Sequence, residues 1–129
     1  MAKGSEHPVN LNRIGQIAVP VTDIERAVGF YRDTLGMTLL FQAPPGLAFF
    51  DVGGVRLMLD GSAPGNAGHA SVIYYRVEDL EQAHAQLLER GVTFEAAPHL
   101  VAKLPDHELW MAFLRDPDGN LLALMSEKR

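Results

Sequence analysis

Apolar and polar residues alternate along 13–21 (RIGQIAVPV), which predicts a β-strand with Pro20 near its end. At Thr22 the period changes. Ile24, Ala27, Val28, Tyr31 and Leu35 recur at steps of three and four, the pattern of a helix with one apolar face. Thr22-Asp23-Ile24-Glu25 reads as a capping box, with Thr22 as cap and Glu25 reaching back, and Gly36 as the left-handed stop. Alternation then returns in three short runs, 37–42, 47–52 and 55–60. Pro44-Pro45-Gly46 separates the first two, and Gly53-Gly54 gives a tight hairpin between the second and third.

After GSAPGNAG at 61–68, a stretch with the composition of a bridge, the same order is predicted again. A strand spans 71–77 and a helix 79–90, with Leu80, Ala83, Leu87 and Leu88 inward. Strands follow at 92–96 and 99–102, interrupted at Pro98, then at 109–115 and 121–125 around the turn Asp116-Pro117-Asp118-Gly119. Val77 stands 56 residues after Val21, and the same offset carries Asp23 onto Asp79, Ile24 onto Leu80, Glu25 onto Glu81 and Ala27 onto Ala83. Past a one-residue slip inside the helix, Gly36 falls on Gly91. Residues 54–59 match 119–124 at an offset of 65.

Such internal similarity implies a duplicated unit, each half too small to bury a stable core alone. The predicted fold is therefore α+β: two βαβββ repeats forming curved half-barrel sheets around a shared cleft. The expected division is a flexible tail at 1–10 and a single domain at 11–129. Within that domain the first unit is 11–61, the linker 62–69 and the second unit 70–126.

Composition narrows the partners. At 129 residues, 47% hydrophobic and 21% charged, the chain is globular. A net charge of -5 with scattered basic residues argues against nucleic acid. No apolar run is long enough to cross a bilayer, and residues 1–10 do not make a secretory signal. The absence of cysteine excludes thiolate metal sites and fits a cytoplasmic location. A small organic molecule is the expected partner.

PVTDIERAVGFYRDTLGM, RVEDLEQAHAQLLERGV and FLRDPDGNLLALM resemble the vicinal oxygen chelate superfamily of glyoxalase, bleomycin-resistance and extradiol dioxygenase proteins. The resemblance runs over 13–126 and implies half-barrels, often in a homodimer. Enzymes of the family hold a divalent metal with one ligand from the first and last strand of each half. Those positions fall on Gln16, Met58, Val72 and Ala123. Only Gln16 offers an oxygen, so no metal cofactor is expected there.

If Gln16 faces the cleft, period two puts Ala18, Arg56, Asp60, Tyr74, Arg76 and Met125 on the same side. The opposite parity, Ile17, Val19, Leu57, Leu59, Ile73, Tyr75, Leu122 and Leu124, is almost wholly apolar, as a helix-covered face should be. The expected ligand-binding set is Gln16, Arg56, Met58, Val72, Tyr74, His99, Trp110, Ala123 and Met125, an apolar pocket with a few polar groups. Solvated strand ends are the plainer reading of Arg56 and Asp60. His7 belongs to the tail and His84 to a half-buried helix position. His99 and His107 bracket a loop near the cleft mouth. His107 is the candidate acid or base, and a turn residue is its plainer reading. Met37, Phe41, Phe49, Phe50, Met111 and Phe113 read as core or dimer interface.

Two functions follow. One is a metal-independent enzyme of the lyase or isomerase type, with Arg56 holding an anionic group, Gln16 and Tyr74 orienting the substrate and His107 moving a proton. The other is a non-catalytic binding protein that sequesters its ligand. A metal-dependent lyase or dioxygenase would need relocated ligands such as His69, His99 or His107.

Overall fold

The computed structural model describes residue 9 and residues 11–62 and 70–129. His7, His69 and nearly all of the expected tail and linker lie outside these. Two four-stranded sheets are present. The first unit contains β1 (Gln16–Pro20), α1 (Ile24–Gly29), β2 (Thr38–Ala43), β3 (Leu47–Val52) and β4 (Val55–Asp60), with sheet order β1-β4-β3-β2. The second contains β5 (Ile73–Arg76), α2 (Leu80–Glu89), β6 (Phe94–Lys103), β7 (Glu108–Arg115) and β8 (Leu121–Lys128), in the equivalent order β5-β8-β7-β6. The sheets do not close into a barrel. This is the predicted pair of βαβββ half-barrels.

The one-residue slip in the repeat has a physical cause. A π-type turn, Phe30–Thr34, continues α1, and the Leu35 amide reaches the Phe30 carbonyl at 2.9 Å. That wider turn absorbs one extra residue and returns Gly36 (φ 79°) to the place Gly91 (φ 87°) holds after α2. The cap differs from expectation. Asp23, extended at φ -125°, accepts from the Glu25 amide at 3.1 Å and the Arg26 amide at 3.2 Å. Thr22 is drawn instead to Asp118 across the molecule.

The helix-facing parity holds. Val19, Leu57, Leu59, Leu122 and Leu124 are buried, and Ile17, Ile73 and Tyr75 pack against them. One core joins both units, with Tyr31 and Phe50 from the first and Leu80 and Leu114 from the second. Leu88, expected inward, is 49% exposed, because α2 presents Leu80 and Leu87 to the sheet. The strands expected on either side of Pro98 form the single β6, whose register shifts between Ala96 and His99.

The turn before β8 ties the units together. Tyr31 Oη donates to Asp116 Oδ2 at 2.8 Å, and Asn120 Nδ2 donates to the Pro20 carbonyl at 2.8 Å. Asp118, its side chain fully buried, accepts from the Thr22 amide at 2.7 Å and from Arg26 at 3.0 Å. On the other side of the seam Arg90 Nη1 donates to the Thr34 carbonyl at 2.8 Å.

Candidate functional site

Strand register assembles each cleft face in rows. In the first sheet Gln16 lies beside Arg56, and Ala18 beside Met58, which faces Phe49, which faces Phe41. In the second, Tyr74 lies beside Ala123, which faces Phe113; Arg76 lies beside Met125, which faces Met111, which faces His99. Gln16, Arg56, Met58, Tyr74, His99, Ala123 and Met125 therefore stand on the expected faces. Val72 directly precedes β5. Trp110 does not join them. It faces Ser126 on the opposite side of β7, packs against the core and donates from Nε1 to Glu108 at 3.0 Å. Its neighbours Leu109 and Met111, one step along the strand, take the cleft side.

Each face carries an aromatic platform that sequence reasoning assigned to the core or a dimer contact. Phe41 and Phe49 stack at 4.5 Å between centroids, and the Arg56 guanidinium sits over Phe49 at 5.9 Å. Tyr74 meets Phe113 edge-on at 6.1 Å, and His99 lies nearly parallel to Phe113 at 6.1 Å. Phe41 is 48% and Tyr74 47% exposed. A signal for Phe49 was present: a two-residue Gly53-Gly54 hairpin sets Val52 opposite Val55, which places Phe49 opposite Met58. No comparable tight turn fixes Phe113.

Where the units meet, an apolar cavity of about 390 Å³ is lined by Ile17, Val55 and Leu57 on one side and Ile73 and Tyr75 on the other. Arg56, Tyr74 and Arg76 complete it. Arg76 is committed to Glu127 at 2.7 Å. Arg56 has no carboxylate partner among the described residues; its recorded contact is the Phe49 ring.

His107 belongs to an ionic cluster at the end of the second sheet. Its Nδ1 pairs with Asp106 at 2.8 Å, and its Nε2 lies 3.9 Å from Glu127, which also holds Arg129 at 3.4 Å. Hydrogen bonds from His107 and then Arg129 hold the Asp106 carboxyl below the usual range. His107 does not line the cavity that Arg56 and Tyr74 share. His84 is half-buried against Phe94 at 4.5 Å.

At the four family metal positions, Gln16 Nε2 reaches Met58 Sδ at 3.8 Å, while Val72 and Ala123 present hydrocarbon. An amide, a thioether and two hydrocarbons do not suit a hard divalent ion, which takes several oxygen or nitrogen donors at about 2.0–2.6 Å. Among the described residues no three His, Asp or Glu side chains stand together as an alternative donor set.

The profile of the Glyoxalase/Bleomycin resistance protein/Dioxygenase superfamily matches residues 13–124, and the chain belongs to that superfamily. It is 29% identical over 126 residues to the uncharacterized protein YraH of Bacillus subtilis (strain 168), covering 84% of this chain and 94% of that protein. The structure of TnmS3, an antibiotic binding protein from Streptomyces sp. CB03234, superposes with a TM-score of 0.76 at 28% identity, covering 94% of this chain and 100% of that one. A lactoylglutathione lyase from Agrobacterium tumefaciens shares the fold, with a TM-score of 0.72 at 19% identity over 92% of this chain and 96% of its own.

Proposed function

We propose that this protein binds and sequesters a planar organic anion on its aromatic cleft faces, without a metal, and that a second copy covers those faces. The observation that carries the reading is Arg56, a guanidinium without a carboxylate partner set above a phenylalanine platform and at the edge of an apolar cavity. A flat ring system would stack on the exposed Phe41 or on Phe113, and an anionic substituent would meet Arg56. Arg56 suits this task because its planar fork both stacks on a ring and pairs with a carboxylate. Large apolar side chains left open on both cleft faces, Phe41 and Tyr74 among them, support a covering partner and a homodimer. The similarity to an antibiotic binding protein at 28% identity is in keeping with sequestration. A chain without cysteine is suited to the cytoplasm.

Turnover as a lyase or isomerase has less support, because both ring nitrogens of His107 face carboxylates of its own cluster. The test is a titration of anthraquinone-2-carboxylate into protein stripped with EDTA, monitored by calorimetry. Saturable binding should persist in EDTA and weaken at least about tenfold in Arg56→Ala, matching one charge-assisted hydrogen bond of roughly 1.5–3 kcal/mol. His107→Ala should bind like wild type. Binding that requires added metal, or that ignores Arg56→Ala, overturns the proposal.

A further inference from the structure

We propose that a cavity in the seam between the two units, separate from the cleft faces, is a second binding site for a small organic monocarboxylate with an apolar body. It has a volume of about 270 Å³. Leu35 and Met37 line it from the first unit, and Val77, Ala83, Leu87 and Leu124 from the second. Most of its lining is hydrocarbon, so this is a gap of the wrong polarity for water. Apolar cavities without several polar partners do not hold ordered water well.

The polar groups among the lining residues are Tyr75, Gln86 and Arg90, and no Asp or Glu is among them. Gln86 and Arg90 are both exposed and so stand at the mouth. Arg90 is already positioned there. Its Nη1 is tied to the Thr34 carbonyl at 2.8 Å, which closes the end of the π-type turn. That bond uses one of five N–H donors, and the described residues record no acid paired with the remainder. A guanidinium held in place beside an amide, above an apolar chamber, matches a carboxylate at the mouth with a hydrocarbon body inside.

Size narrows the body. A water's share of liquid volume is about 30 Å³, so the chamber takes roughly nine non-hydrogen atoms. A straight chain of about eight carbons, or a single ring with a short arm, fits. The two cavities share Val52 and Tyr75 as a wall, and their cationic residues differ: Arg56 and Arg76 on one side, Arg90 on the other.

The test uses the full chain carrying ¹³C-methyl methionine, titrated with octanoate and, separately, with octan-1-ol. Met37 lines the seam cavity, whereas Met58 and Met125 belong to the cleft faces. Octanoate should shift Met37 saturably and leave Met58 and Met125 in place, with octanol binding at least about tenfold more weakly. Gln86→Glu sets a negative charge at the mouth on an exposed side chain, so it preserves the fold. It should weaken octanoate at least about tenfold, while Arg56→Ala leaves octanoate unchanged. A still Met37 resonance, equal binding of octanol, or wild-type affinity in Gln86→Glu overturns the site. A Met37 shift that follows protein concentration without octanoate assigns the cavity to a second copy and also overturns it. Loss of octanoate binding in Arg56→Ala alone would mean that the ligand sits at the cleft instead.

Discussion

The Tyr31 hydroxyl donates to the Asp116 carboxylate at 2.8 Å, with Tyr31 1% and Asp116 4% exposed, and the contact fastens the first unit to the second. Asp116 also accepts from the Asp118 amide at 2.9 Å and the Asn120 amide at 2.8 Å, so one carboxylate organises the turn and receives the other unit. Tyr31→Phe leaves a buried charge short of a donor and should cost about 1–3 kcal/mol. Asp116→Ala, which orphans all of these donors at once, should cost more. Urea unfolding of the two variants measures both.

Alkaline pH should loosen the same region. Burial, and then Asp116, push the Tyr75 phenol up to about 12, and burial with Asp116 moves Tyr31 in the same direction. The unfolded phenols ionise near their ordinary value of about 10, where the folded ones stay protonated. The unfolded state therefore binds fewer protons, and stability present below pH 10 declines as pH rises from there toward 12. For Tyr75 the loss is on the order of 2–3 kcal/mol. Unfolding free energies at pH 8, 10 and 11 should fall in wild type and fall less in Tyr75→Phe.

Trp110 lies on the helix side of β7, with Lys128 Nζ 4.2 Å from its ring centroid. Its indole should report on folding and not on the cleft. Trp110→Phe is expected to change affinity for anthraquinone-2-carboxylate by less than about twofold, whereas Phe113→Ala removes a stacking platform of roughly 0.5–1.5 kcal/mol and more in buried area. Calorimetric titration of both variants separates the two faces of one strand.

A covering second copy makes a mixing prediction. Arg56→Ala alters the first unit and Phe113→Ala the second. If each complete site joins the first sheet of one copy to the second sheet of another, heterodimers contain one site with both changes and one with neither. Unfolding and refolding the two variants together should then restore wild-type affinity in about half of the heterodimer sites, a consequence of isologous pairing. No restoration would place the whole site in one chain, at the cavity shared by Arg56 and Tyr74.

The duplicated βαβββ order was legible because each unit announces its helix with Val-x-Asp and its stop with glycine, signals set by local backbone chemistry. The parity of β1, β4, β5 and β8 was legible because period two leaves no freedom once one residue is oriented. The identity of the helix cap was not, since Thr22 answers to Asp118, a residue 96 positions away. Nor was the placement of Trp110 and Phe113, whose faces depend on how β7 registers against β8 across the 116–120 turn. Phe41 and Phe113 were hidden in a similar way: both read as core until pairing puts them beside Phe49 and Ala123.

The most direct measurement is a titration of ¹³C-methyl methionine protein with anthraquinone-2-carboxylate in EDTA. Met58, Met111 and Met125 lie on the cleft faces beside the aromatic rows, and Met37 lies in the seam. Saturable shifts of the three cleft methionines, with Met37 still and Arg56→Ala displaced to higher ligand concentration, are the expected result. Shifts confined to Met37, or none without added metal, would contradict a metal-free anion site on the cleft faces.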